Sequence, residues 1–298
     1  MKYDSLNPVS GFIAVLKPKG WTSNQLLSKL KWLFKTKKAG HGGTLDPFAT
    51  GIVLVFFGEA TKFSSRFLDS DKEYQAHLEL GFESSTGDIE GEITKDNDFL
   101  YEQLPDNISE IIREFEGLQT QTPPIYSALK YKGKPYYQYA REGKSVPIKK
   151  RQITINYINL VSLSKNTLIF DVSCSKGTYI RTLGEDIAKR LGTKGYLTDL
   201  ERIRVGKTSK EDAYAIEDIE TIQFDRRVKL LTSIEKMLQI SLLELDNNQM
   251  HQILNGQLID LSSQPGEYAL MNQKKFLGIG QSDGNFVKPV RLIKNEIN

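Results

Sequence analysis

The sequence predicts an α+β protein in which a mixed or antiparallel sheet has helices between its strands, followed by a small β-rich module. Three observations carry that prediction. Residues 74–80 (Tyr-Gln-Ala-His-Leu-Glu-Leu) alternate apolar and polar, as a half-buried antiparallel strand does. Ile52-Val53-Leu54-Val55-Phe56-Phe57 is a short unbroken apolar run, which reads as a fully buried strand. The 298 residues exceed one typical core, and the last sixty change to short alternating runs punctuated by glycine.

The elements follow in order. Phe12-Ile13-Ala14-Val15-Leu16 reads as a strand and Lys17-Pro18-Lys19-Gly20 as a turn. Thr22, Ser23 or Asn24 can cap a helix whose Leu26, Leu30, Leu33 and Phe34 recur at helical spacing. A helix is expected near 59–69. Residues 83–98, polar and acidic, read as a loop with little structure of its own. Further strands are expected at 152–162, 167–174 and 201–207, and a helix at 178–191. Residues 1–236 form one expected domain and residues 237–298 another, with a helix at 246–254 and strands at 267–271, 275–280 and 286–292. So small a module is marginal alone and should pack against the larger domain.

Composition narrows the function classes. No run approaches the ~18 apolar residues of a membrane span. Three histidines, one cysteine and no His-x-x-x-His or Cys-x-x-Cys spacing leave a zinc site without ligands. Cys174 reads as a small buried thiol, and with no signal peptide it indicates a reducing cytoplasm. Net charge is only +3, yet residues 129–152 carry +7 and residues 22–38 carry five lysines and no acid. Two basic segments in an otherwise acidic chain suggest a face for a polyanion. The first also holds Tyr131, Tyr136, Tyr137 and Tyr139, rings able to stack on bases. The plainer alternative is a solvated basic hairpin whose tyrosines pack inward.

The chemistry is expected at Gly40-His41-Gly42-Gly43-Thr44-Leu45-Asp46-Pro47. Three glycines in four residues allow sharp bends and close approach by a ligand. Pro47 biases Asp46 toward extended backbone, so one carboxylate stands on a stiffened bend beside a buried strand. Capping a turn is the ordinary alternative for such an aspartate. The loop has neither phosphate-cradling glycine pattern. A carboxylate without metal ligands points to nucleophilic or acid–base work, glycosyl chemistry included.

Gly40 to Gly51 (GHGGTLDPFATG) closely resembles the signature of TruB-type tRNA pseudouridine synthases. Further matches follow in order: Lys17-Pro18 with Gly20 and Thr22-Ser23, Gly58-Glu59-Ala60-Thr61-Lys62, Lys72-Glu73-Tyr74, Pro124 to Lys130 (PIYSALK), Ser175 to Leu183 (SKGTYIRTL), and Leu200 with Arg202. The resemblance covers residues 10–235 well and the tail weakly. It implies a pseudouridine synthase catalytic fold with a PUA-like C-terminal domain. It implies isomerisation of uridine 55 in the T loop of tRNA, with no cofactor and no metal.

The resemblance makes Asp46 the nucleophile and Tyr74 the aromatic that stacks on the flipped base. It makes Arg181 the cation paired with Asp46. Arg181 also falls in the first turn of a predicted helix, where a cation opposes the macrodipole and an anionic partner relieves the conflict. A fork-shaped pair would keep Asp46 ionised and oriented. His41 is expected to help open the T loop, since flipping needs a brace for the vacated space. Thr44, Tyr126, Lys130, Tyr179 and Leu200 are expected to contact substrate, Lys130 at phosphate; core packing is an almost equal reading for Leu200.

Two positions depart from the family pattern. Leu16 stands where many relatives have Asp, which puts a turn contact in doubt. Gly42 replaces Thr or another small residue, which would loosen the His41 loop. A monomer acting on tRNA without a protein partner is expected. The alternatives are a tRNA-folding chaperone with catalysis secondary, a guide-RNA-dependent relative, or a small-substrate glycosidase. The last would need a second acid, for which no motif stands out.

Overall fold

The computed structural model describes residues 9–293. The chain opens with β1 (Gly11–Lys17), α1 (Ser23–Leu33), β2 (Ala39–His41) and β3 (Thr50–Phe57). Thr22 caps α1, its hydroxyl accepting from Gln25 N while Gln25 closes the reciprocal bond. The helix expected near 59–69 is instead a 3-10 turn, Gly58–Phe63, running into a short α2 (Ser64–Leu68). β4 (Lys72–Leu80) follows and shows the expected alternation, with Lys72, Tyr74, Ala76, Leu78 and Leu80 turned inward.

Residues 83–98 are not a bare loop: β5 (Phe82–Ser84) and β6 (Ile93–Lys95) pair as a hairpin. Its tip carries a buried Asp88 bridged to Leu197. A polar composition hid this order because the apolar contacts come from elsewhere in the chain. After α3 (Ile108–Arg113) and β7 (Gly117–Gln121) comes a small hairpin, β8 (Lys130–Tyr131) and β9 (Lys134–Pro135), capped by α4 (Tyr136–Arg141). The sheet resumes with β10 (Arg151–Ser164) and β11 (Thr167–Cys174), then α5 (Ile180–Arg190) and β12 (Gly195–Val205). β12 begins six residues before the expected 201, because it runs in antiparallel register along the length of β4. Short strands β13 (Thr208–Ser209) and β14 (Tyr214–Ala215) complete the sheet, and three short helices, α6 (Ile216–Thr221), α7 (Phe224–Val228) and α8 (Ile234–Leu238), lead out of it.

The ten-stranded sheet has the order β14-β1-β3-β12-β4-β11-β10-β7, with β2 on β3 and β13 on β12. It is mixed: β3 pairs parallel to β12 and antiparallel to β1. Both faces of β1 and β3 are buried, which is why 52–57 is apolar without alternation. Ile13, Val15, Val53, Val55 and Phe57 pack toward Leu26, Leu30 and Phe34 of the α1 region. Phe12, Ala14, Ile52, Leu54 and Phe56 pack the other way, against Phe63 and against Ala269, Met271, Phe276 and Ile279.

Those last four belong to a five-stranded curled sheet built from β15 (Ser241–Glu244), β16 (Ile259–Asp260), β17 (Gly266–Asn272), β18 (Lys275–Ser282) and β19 (Phe286–Leu292), with α9 (Asn247–Leu254) beside it. Its own core is six buried side chains, Leu245, Ile253, Ile259, Leu270, Leu277 and Val287. Ala269, Met271, Phe276 and Ile279 add a second apolar layer that is buried against the back of the large sheet. Arg66 pairs with Glu267, and Lys62 Nζ donates to Leu292 O at 3.0 Å, across the same contact.

Candidate active site

The GHGGTLDP segment is held at four points. Gly42 N donates to Leu54 O at 2.8 Å, so the loop leaves β2 still tied to β3. A Cβ at Gly42 would lie 3.1 Å from the Phe56 ring; glycine here seats the loop closely and does not loosen it. Ser23 Oγ accepts from Leu45 N at 2.8 Å, in the first turn of α1. Pro47 O accepts from Gly20 N at 2.8 Å and from Lys17 Nζ at 3.2 Å. Arg202 reaches from β12 to Gly43 O and Thr44 O at 3.3 and 3.4 Å, and its Nε donates to Ile52 O at 2.8 Å. Gly43 has φ of +132°, a backbone conformation that favours glycine, while the space around it would admit a Cβ.

Asp46 projects from this frame into a cleft of about 330 Å³. Gly43, Thr44, Lys72, Tyr74, Ser127, Ala128, Leu129, Cys174, Tyr179, Arg181, Leu200 and Arg202 are among its lining residues. Arg181 Nε lies 2.9 Å from Asp46 Oδ2, and Nη1 lies 3.3 Å from Asp88 Oδ2. Nη1 also donates to Thr86 O and Nη2 to Tyr126 O, both at 2.8 Å. The pair is therefore not the expected two-bond fork. One guanidinium is divided between two carboxylates and two carbonyls, each fixing its plane. Its place as second residue of α5 is electrostatically adverse alone, and the two acids offset it.

The two carboxylates differ in availability. Asp88 is sequestered: its side chain is 4% exposed, and Oδ1 accepts from Thr86 Oγ1 at 2.6 Å and Glu90 N at 3.0 Å. The Asp46 side chain is 37% exposed, with a face open to the cleft. Burial of the carboxyl raises its pKa; Arg181 opposes that, Asp88 adds to it and Lys17 opposes it, and the net direction is upward. Arg181 thus acts on Asp46 in the expected direction, toward the ionised form, against the desolvation that burial imposes.

Tyr74 stands on the inward face of β4, is 8% exposed, and pairs in register with Arg202 of β12. Burial pushes its phenol upward, so it is neutral near pH 7. Lys17 is 1% exposed, and its Nζ also donates to Trp21 O at 2.6 Å and Pro18 O at 3.0 Å. Lys72 gathers Leu68 O, Ser70 O and Phe67 O at 2.7, 2.5 and 3.2 Å. Desolvation lowers both lysines to about 8. Burial pushes the Cys174 thiol up to about 12, so it is a packed neutral group in the cleft wall.

Tyr179 precedes α5 and is clamped by Gln121, whose amide exchanges hydrogen bonds of 2.8 and 3.0 Å with its backbone. Its ring lies 5.0 Å from the Arg151 guanidinium. Leu200 is 5% exposed and serves both the cleft wall and the main core. Tyr126 meets the site through its carbonyl. His41 sits in β2 opposite Val55 with a buried Nδ1 that has no hydrogen-bond partner, and it does not line the cleft. Lys130 is exposed on the β8–β9 hairpin, also outside the cleft lining. In that hairpin Tyr136 Oη donates to Pro147 O and Tyr139 Oη to Tyr131 O, while Lys134 and Arg141 lie over the rings of Tyr139 and Tyr137. The tyrosines thus brace the segment that carries the cations.

Sequence reasoning missed Asp88 and gave no role to Lys17, Lys72, Gln121, Ser127 or Arg202. For Asp88 a local signal existed: Thr86-Gly87-Asp88 is a turn grammar, and Gly87 has φ of +74°. Among the described residues no group of three or more His, Cys, Asp or Glu is placed to hold a metal ion.

Residues 31–180 match the family model described as the TruB family pseudouridylate synthase N-terminal domain, and residues 242–293 match the pseudouridine synthase II TruB C-terminal model. The chain is 39% identical over 287 residues to "tRNA pseudouridine synthase B" of Francisella philomiragia, covering 95% of this chain and 94% of that one. The Francisella tularensis subsp. novicida protein of the same name matches with the same identity and coverage. Among solved structures, an H/ACA RNP bound to a substrate RNA containing 2'-deoxyuridine superposes with a TM-score of 0.69 at 21% identity, over 96% of this chain and 86% of that one. A Cbf5-Nop10-Gar1 complex gives 0.68 at 23%, over 95% and 84%. These two likenesses are of fold.

Proposed function

The chain belongs to the TruB family of pseudouridylate synthases, and on that footing we infer that it isomerises a uridine of tRNA to pseudouridine, at position 55 of the T loop. The observation that carries the site assignment is the asymmetry of the two acids around Arg181. Asp46 is open to the cleft on a rigid loop, while both oxygens of Asp88 are occupied.

The flipped uridine enters the cleft with its base against Tyr74 and Leu200 and its sugar toward Asp46. The base–sugar bond at N1 breaks, the base turns, C5 bonds to the same sugar carbon, and the C5 proton leaves as N1 gains one. Atoms and charge balance without an oxidant or a reductant. Asp46 must be ionised, whether it attacks the sugar carbon or drives elimination. Arg181 orients it, and Arg202 ties Tyr74 to the loop that carries it. Asp88 does not serve as the second acid of a glycosidase, because it has no free face.

The substrate contacts of Thr44, Tyr179 and Leu200 lie in the cleft wall. Those of His41, Tyr126 and Lys130 lie around it, with the braced 129–152 segment gripping the T stem-loop. The chain divides into a catalytic domain, 1–236, and a PUA-like domain, 237–298, that meets the acceptor-stem side. It works in the cytoplasm as a monomer, without guide RNA, and a near full-length match to enzymes named for tRNA supports that over a guided assembly.

The test is a pseudouridine-specific readout at position 55 of unmodified tRNA transcript, comparing the wild-type protein with Asp46→Asn. Product from the wild type alone, with tRNA affinity preserved in the variant, is expected. Tight binding by both proteins with product from neither would favour the tRNA-folding chaperone.

A further inference from the structure

Helix α1 carries an aromatic ring that nothing in the fold covers. Trp32 is 61% exposed, the most exposed aromatic among the described residues. Ser28, Lys31 and Trp32 recur at three- and four-residue spacing and share one side of the helix. Lys29 Nζ lies 5.2 Å from the centre of the Trp32 ring. The segment 22–38 has no acid, and Lys31 and Lys37 have no acidic partner among the described residues.

Charge and ring together select the occupant. Lysine is depleted from protein–protein interfaces; Lys29, beside the ring, is paired with Glu220, but an exposed ring flanked by Lys31 and Lys37 suits RNA, which offers phosphates and stackable bases. The helix is also coupled to the chemistry: Ser23, in its first turn, holds Leu45, the neighbour of Asp46. Nine residues at helical rise put Trp32 about 14 Å along the axis from that contact.

We propose that the exposed face of α1 and the bend that follows it form a second tRNA-contact surface, with Trp32 stacking on an unpaired base or ribose and Lys31 and Lys37 meeting flanking phosphates. This rests on the tRNA reading above and adds a site on a different element from the 129–152 segment. Gripping RNA here would brace the loop that presents Asp46.

The chain has two tryptophans, so Trp21→Phe leaves Trp32 as the sole indole reporter and Trp32→Phe leaves Trp21 as the control. Titration of Trp21→Phe protein with unmodified tRNA should quench its fluorescence saturably. Lys31→Glu/Lys37→Glu should raise the tRNA Kd about tenfold at low salt and reduce the slope of log Kd against log salt by about 2. Lys37 is exposed and Lys31 half-buried, and an unchanged melting temperature would show that the fold is kept. A wild-type protein that binds and modifies tRNA, with an unresponsive Trp32 and an unchanged slope in the double variant, overturns this inference alone. A wild-type protein that neither binds nor modifies tRNA overturns the functional reading and this inference with it.

Discussion

Arg181 Nε stands 2.9 Å from Asp46 Oδ2 while the other end of the same guanidinium stands 3.3 Å from Asp88 Oδ2. A buried cation held by two acids of unequal exposure fixes the orientation of one and leaves it a free face. This makes Asp88 a positioning residue.

Asp88→Asn removes a charge from Arg181 but keeps a side chain of the same shape. The expected result is a fall in kcat of tenfold or more with tRNA Kd within about twofold, since Asp88 does not reach the cleft. Breaking the buried pair should also cost about 3 kcal/mol of stability. Single-turnover kinetics beside urea denaturation separate the two effects, and an unchanged kcat would refute the positioning role.

The raised pKa of Asp46 has two consequences of opposite sign. The proposed reaction needs the carboxylate, so the acid limb of the pH–rate profile should sit above the ordinary aspartate range. Stability runs the other way. A folded-state pKa above the unfolded value means that the folded protein holds the proton more tightly, so Asp46 contributes most below its unfolded pKa and loses that contribution as pH rises through the folded value. Asp46→Asn should therefore be inactive yet more stable than wild type at pH 7, with the gap closing toward pH 4 in thermal melts.

Lys17 is the buried cation that joins the β1 turn to Pro47. Lys17→Met removes three hydrogen bonds, leaves Trp21 O without that donor while Pro47 O keeps Gly20 N and Pro18 O keeps Trp21 N, and should destabilise by about 2 kcal/mol. Its lowered pKa, like that of Lys72, makes the unfolded chain the better proton binder between pH 8 and 10.5. Wild-type stability should gain from both lysines as pH rises through that window, and Lys17→Met should lose its share of the gain.

Ser127 lines the cleft with a buried Oγ that has no hydrogen-bond partner. Ser127→Ala should stabilise the free protein by about 1 kcal/mol, because an unsatisfied hydroxyl is removed without a bond being lost. A denaturation midpoint lowered by the change would mean that the hydroxyl is satisfied in solution.

The element pattern was legible where it depends on neighbours in sequence. The alternation of 74–80 and the Thr22 cap are local signals, and both are realised in β4 and α1. The apolar run 52–57 announced a strand buried on both faces. What covers its second face, Phe276 and Ile279 of the distant small sheet, could not be read from it. The acidic stretch 83–98 misled because a polar hairpin draws its order from contacts with β12 and Arg181, more than a hundred positions away for Leu197.

By itself the sequence singled out the residues proposed to carry the chemistry: a glycine-rich loop with one aspartate, a tyrosine on an alternating strand, and an arginine at the start of a helix. Short-range sterics and periodicity give the bend at Asp46, the alternating strand and the helix start; the roles come from ordered motifs that resemble one family. Only the tertiary structure decided how the charges are shared. Arg181 meets Asp88 as well as Asp46, Arg202 holds the loop and Tyr74, and Lys17 is spent on carbonyls because β1, β3, β4, β12 and α5 converge there. Electrostatic partnership in a buried site depends on distance through space and on desolvation, and neither is written in the order of residues.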